Sequence, residues 1–205
     1  MSTNFFNDVD KFKDQIPYYL TQPQKEGLVK ALADFPEGIN YYLSNYPVDL
    51  KAAALQGDVF KGLTIYGPRG SKEAKGIILS NSCDIDTNNK RDFPMRAVFA
   101  PLVNLATLVE RLQKAGIPQD KIDTKLDAMK KQLVTNIVYL PSCDTIPESI
   151  IFLDDVYQVS TEELRQSLES SNKILTLSQV GFYILLFKLS IHFCRFHEDV
   201  ARYDN

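Results

Sequence analysis

The sequence predicts an α+β fold, with helices at both ends of the chain and a strand-rich middle. Three observations predict it. Apolar residues recur at helical spacing through residues 1–50, broken by prolines. From residue 57 the pattern changes to short runs rich in Val, Ile, Phe and Tyr, bounded by turn residues. After residue 160 helical signals return and end in a strongly apolar stretch.

In the N-terminal segment, 1–56, Phe5, Phe6, Val9, Phe12 and Ile16 keep helical spacing and stop at Pro17. Thr21-Gln22-Pro23-Gln24 reads as a helix start, with a capping residue, a first-turn proline and a glutamine three residues on. Leu28, Val29, Leu32 and Phe35 supply its apolar face, and Pro36 ends it. Ile39, Tyr42, Leu43 and Tyr46 predict a short third helix before Pro47. Strands are expected at 59–66, 76–80, 96–102, 136–140, 149–153 and 156–159, within a unit spanning 57–160. Gly67-Pro68-Arg69-Gly70 is a turn, and 84–94 is a polar loop.

An insertion at 104–134 separates the third and fourth strands. Leu105, Leu108, Val109 and Leu112 predict a helix capped by Asn104 and ended by Gly116 and Pro118. Ile122, Leu126, Met129 and Leu133 predict a second, joined to the first by a short connection. The C-terminal segment, 161–205, is expected as helices packed on the strands. Ser160-Thr161-Glu162-Glu163 is a capping box for a helix bearing Leu164 and Leu168, and Thr176-Leu177-Ser178-Gln179 caps the next. The apolar stretch 180–194 is interrupted by Lys188 and His192 and falls short of the ~20 residues of a membrane span, so it reads as a buried core helix.

A length of 205 residues suffices for one domain with a sizeable core. Apolar residues at 44%, charged residues at 24% and a net charge of -3 give no global attraction to nucleic acid or anionic membrane. The stretch 57–96 is locally different. Lys61, Arg69, Lys72, Lys75, Lys90, Arg91 and Arg96 outnumber Asp58, Glu73, Asp84, Asp86 and Asp92, which permits an anionic partner. Three cysteines cannot all pair, and Met1-Ser2-Thr3-Asn4 does not read as a signal peptide. A reducing cytoplasm is therefore the expected location, with no membrane partner.

Chemistry is suggested by a repeated pattern. An apolar run leads into Ser82-Cys83-Asp84, and another into Ser142-Cys143-Asp144. If the two strands are neighbours, two thiols and two carboxylates meet at one sheet edge. A thiolate at Cys83 beside Arg69, Lys75 or Arg96 would be a nucleophile of lowered pKa, with Asp84 orienting a base or holding a substrate amine. The bland reading makes each cysteine a small buried hydrophobe. A zinc site from two cysteines and two aspartates lacks the usual paired spacing, so no metal and no cofactor are expected. His192 and His197 are five apart and do not share a helix face. Asp84, Asp86 and Asp92 read as a solvated acidic loop or as a cation site, and Arg69 sits in a glycine turn whose amides suit a phosphate.

The strand region resembles the MazF/PemK/Kid family of toxins. Gly57-Asp58-Val59 is similar to the opening of that family's first strand, and the turn Pro68–Glu73 to the lead into its second. Gly76-Ile77-Ile78-Leu79-Ser80-Asn81 resembles the second strand, Ala97–Leu102 the third, and Ile151–Val159 the C-terminal stretch. The likeness covers about half the chain. It implies a small SH3-like β-barrel, single-stranded RNA or a protein as partner, and a homodimer. It also implies metal-free RNA cleavage by an arginine before the second strand and a threonine or serine after the third. Here those positions are Lys75-Gly76 and Val103. Lysine lacks the two-donor fork of arginine, and valine cannot exchange a proton. The run Leu79-Ser80-Asn81-Ser82-Cys83-Asp84-Ile85 is similar to the Leu-Ser-Gln-x-Cys-Asp-Ile signature of a bacterial group of uncharacterised proteins.

These observations converge on a cytoplasmic binding or regulatory module of a prokaryotic toxin–antitoxin or phage-defence setting. Its ligand-facing residues would be Asn81, Cys83, Asp84, Asp86, Arg69, Lys75 and Arg96. The alternatives are an endoribonuclease with a rearranged site, with Arg69 as phosphate clamp and Asp84 as base, and a cysteine-dependent enzyme using Cys83.

Overall fold

The strand-rich middle forms two antiparallel sheets rather than one closed barrel. The computed structural model describes residues 22, 26, 29–31, 35, 38–44, 48–68, 70–86, 93 and 95–193. A short helix α1 (Val48–Ala52) precedes β1 (Val59–Gly67) and β2 (Gly70–Ile78). Helix α2 (Ser82–Ile85) follows, then β3 (Arg96–Pro101) and β4 (Val103–Asn104). Helices α3 (Leu105–Lys114) and α4 (Gln119–Lys130) occupy the insertion. The chain continues through β5 (Ile137–Leu140), β6 (Ser149–Phe152), β7 (Tyr157–Ser160), α5 (Thr161–Glu169), β8 (Lys173–Leu175) and α6 (Gln179–Phe193). One sheet has the order β7-β3-β2-β1-β8 and the other β4-β6-β5. The α+β class is as predicted. The ladders stay open because the chain changes partner after β3: Leu102 still donates to the Lys75 carbonyl at 2.8 Å, but Val103 pairs with Ile150.

Both faces of the five-stranded sheet are buried. Val59, Ile77, Val98 and Ala100 face a core shared with Val138, Leu140, Ile151 and Leu153 of the other hairpin and with Ile184, Leu185 and Phe187 of α6. Phe60, Leu63, Ile65, Ile78, Ala97 and Phe99 face a second core closed by Ile85 of α2 and Leu164 of α5. Strict alternation would put Phe60 and Leu63 on opposite faces. A bulge between them, with Gly62 at φ +72°, brings both to one side. Gly76 lies against Phe99, and a Cβ there would fall 2.5 Å from the ring. That close approach explains why glycine stands where the toxin resemblance expects proline.

The insertion packs on the three-stranded sheet through a third core of Leu105, Met129, Ile137, Tyr139 and Ile150, joined by Leu108 and Leu126. Asn104 caps α3 as expected, its Oδ1 accepting from the Ala106 and Thr107 amides. The insertion returns through Gln132, fully buried at φ +59°. Its side chain donates to the Tyr139 carbonyl at 2.8 Å and accepts from the Tyr139 amide at 3.1 Å. Its own carbonyl accepts from the Nζ of buried Lys188 on α6 at 2.9 Å, and Val134 accepts from the same ammonium. Desolvation pulls the Lys188 pKa down to about 8.

Several boundaries differ from expectation. β2 begins at Gly70, not at 76, because residues 70–75 are a polar, mostly exposed run whose extension is set by pairing with β1. The third N-terminal helix is absent from residues 38–44. Tyr42 instead bridges to Leu177, and its hydroxyl donates to the Pro141 carbonyl at 2.6 Å. Residues 22, 26 and 29–31 are helical, while the predicted helix at 5–16 lies outside the described residues. The C-terminal segment contributes more than helices, since β8 adds to the sheet beside β1. Ser160 caps α5 by accepting from the Glu163 amide, and Ser178 caps α6 by accepting from the Gly181 amide. Among the described residues no helix is long and apolar enough to cross a membrane.

Candidate functional site

The repeated Ser-Cys-Asp does not form one site. Cys83 follows β2 of the five-stranded sheet, whereas Cys143 follows β5 of the three-stranded sheet, so the two strands are not neighbours. Cys83 and Asp84 sit exposed on α2, with Asn81 accepting from the Cys83 amide at 2.9 Å. Asn81 therefore caps the turn. Asp86 ends α2 and Arg96 opens β3, both exposed. Arg69, Asp92, Cys194 and His197 lie outside the described residues. Among the described residues no group of three or more His, Cys, Asp and Glu gathers to hold a metal ion. His192 packs edge-on against Phe193 with ring centroids 4.6 Å apart.

The two cysteines differ in surroundings. Cys143 is half-buried beside the main core and 3.3 Å from the Thr145 hydroxyl. Cys83 is exposed rather than the buried hydrophobe of the bland reading. Native alkylation with iodoacetamide is expected to label Cys83 faster than Cys143, read by peptide mass spectrometry. Exposure alone produces that result, so speed of labelling is no mark of a nucleophile here. Equal rates would contradict the placement of Cys83 at the surface.

Among the predicted site residues, Lys75 lines a large cleft. This cleft, about 570 Å³, opens where the chain passes from one sheet to the other. Lys72 and Lys75 of β2 line it, as do Pro101, Leu102 and Val103. The hydrogen bond from Leu102 to the Lys75 carbonyl brings the two positions highlighted by the toxin resemblance, 75 and 103, to the same wall. A further part of the lining comes from the insertion. Asn104, Thr107 and Arg111 are spaced i, i+3 and i+7 and share one face of α3, next to the apolar face that buries Leu105. Tyr157 and Asp155 complete the lining with Glu73, Ile65, Ile146, Pro147 and Ser149. A hydrogen bond to Asp155 raises the Tyr157 phenol above its ordinary pKa.

Sequence reasoning missed Thr107 and Arg111. The signal was present as a polar stripe beside the leucines of α3, but nothing in the sequence says which element that stripe faces. Chemically, the cleft offers three cations, two carboxylates, the hydroxyls of Thr107 and Ser149, the Tyr157 phenol and the Asn104 amide beside apolar lining residues. No protein-family model matches the chain, and no curated protein matches it. The fold and cleft together define an α+β protein with a mixed-charge, ligand-sized cleft at a sheet junction.

Proposed function

We propose that the chain is a cytoplasmic binding or regulatory module on a scaffold like the SH3-like barrel of MazF/PemK/Kid toxins, and that it holds its partner without cutting RNA. A prokaryotic toxin–antitoxin or phage-defence system is the setting this reading implies. The observation that carries it is the shared wall of Lys75 and Val103 in the sheet-junction cleft. The two positions to which the resemblance assigns chemistry line this cleft, and they carry groups unsuited to it. Lysine offers a point charge instead of a fork, and valine offers no proton.

Purified protein incubated with single-stranded RNA in metal-free buffer is expected to leave the RNA intact, as read on a denaturing gel. Cleavage that an Arg69→Ala variant loses would overturn the reading. A second reading, an endoribonuclease with a rearranged site, has its own supporting observation. Thr107 and Arg111 line the same cleft and supply a hydroxyl and a guanidinium from a different element. Cleavage lost in Arg111→Ala but kept in Arg69→Ala would favour that arrangement.

A further inference from the structure

Three cations line the sheet-junction cleft, and their side chains are not committed elsewhere. Among the described residues, Lys72, Lys75 and Arg111 make no side-chain hydrogen bond or ion pair. Elsewhere the cationic side chains of Lys130, Lys131, Arg165 and Lys173 are each held by a carboxylate. Two acids, Glu73 and Asp155, also belong to the lining, so the cations outnumber them by one. The start of α3 adds nothing to anion binding. Its Ala106 and Thr107 amides are taken by Asn104 Oδ1, and its Leu105 amide by the Glu148 carbonyl at 2.9 Å.

We infer that the cleft is a site for a phosphate ester and that Arg111, delivered by the inserted helix, is its principal ligand. The inference rests on the binding reading above and names the chemistry of that site. A guanidinium presents two parallel N–H donors to a phosphate, a match the lysines cannot make. Lys72 and Lys75 add positive charge from β2, and Thr107 lies one helical turn before Arg111. The apolar lining residues Ile65, Leu102 and Ile146 favour an ester with an organic body over bare phosphate. A volume of about 570 Å³ suits a ligand of nucleotide size or one residue of a strand. The insertion thus supplies an arginine to a groove whose own strand carries lysine.

The test uses the purified full chain in low-salt buffer and calorimetric titration with adenosine 5′-monophosphate, adenosine and a short single-stranded oligoribonucleotide. Adenosine 5′-monophosphate is expected to bind, adenosine to bind at least about tenfold more weakly, and Arg111→Ala to lose at least about tenfold, the size of one charge-assisted hydrogen bond. Arg111→Lys should restore only part of the loss. Because Arg111 is exposed, these variants keep the fold, which circular dichroism checks. Tighter binding of the oligonucleotide assigns the ester to a polymer, and equal or weaker binding assigns it to a small molecule. Absence of binding by both phosphate-bearing probes overturns the inference, as does wild-type affinity in Arg111→Ala. RNA cleavage by the wild type would sink the non-cleaving reading instead, and leaves this inference standing.

Discussion

Asp58→Ala is expected to lower the stability of the chain by ~3–5 kcal/mol, read as a shift of the urea unfolding midpoint. Asp58 is fully buried and its carboxylate is saturated. Lys173 lies 2.7 Å from Oδ2, the Leu55 amide donates to Oδ2 at 2.7 Å, and the Thr176 hydroxyl donates to Oδ1 at 2.8 Å. Lys173 in turn donates to the carbonyls of Leu50 and Ala53. Burial pushes the carboxyl up from its ordinary range, and the Lys173 ammonium is the largest force opposing it. Removing the carboxylate leaves a buried ammonium without its counter-charge and strands two donors, which is why the loss exceeds that of a surface pair. A double variant, Asp58→Ala with Lys173→Met, should lose less than the sum of the two single changes, because the second removes the stranded charge. A loss below about 1 kcal/mol for Asp58→Ala would show that the network does not hold α1, β1 and β8 together.

Stability is also expected to rise between pH 8 and pH 10.5 through Lys188. Its folded pKa of about 8 lies below the ordinary 10.5. Between those values the unfolded chain binds a proton that the folded chain does not, so raising the pH disfavours unfolding. Below pH 8 the ammonium is charged in both states and the cost of burying it is fully present. Above 10.5 that cost is gone. The shift corresponds to roughly 3 kcal/mol at 1.36 kcal/mol per unit. Other groups titrate in this window, so the measurement is the difference between wild type and Lys188→Met in urea unfolding across the range. The wild-type curve should climb more steeply by about that amount. Parallel curves would place the titration of Lys188 outside the window.

Much of this architecture was legible in the sequence, and the misses have physical causes. The capping residues Asn104 and Ser160 act where their spacing put them, because a cap is a local interaction between a side chain and amides two or three residues on. β1 and β3 were visible because apolar residues bury both faces of the sheet. β8 escaped notice because three residues carry no periodicity, and its place beside β1 is fixed by distant partners such as Asp58. Tyr42 looked helical from its neighbours at 39, 43 and 46. It was drawn out of that pattern by a hydroxyl bond to Pro141, 99 positions away. The candidate site was the least legible part. Lys75 was identified through resemblance, whereas Thr107 and Arg111 depend on how the insertion lies over the sheet junction. The cysteine repeat misled because equal local sequence led into two different sheets.

The side chain of Gln132 bears on how copies of this chain can associate. β5 is an outer strand of its sheet, and such strands ordinarily offer their amides and carbonyls to any passing polypeptide. Here Gln132 takes both backbone groups of Tyr139, and the Val134 carbonyl takes the Ile137 amide at 3.1 Å. The strand is thus capped sideways by the segment that leads into it. Any assembly that extends a sheet from one copy to the next must use another border of the molecule, and loss of this one amide side chain would open a new route to aggregation.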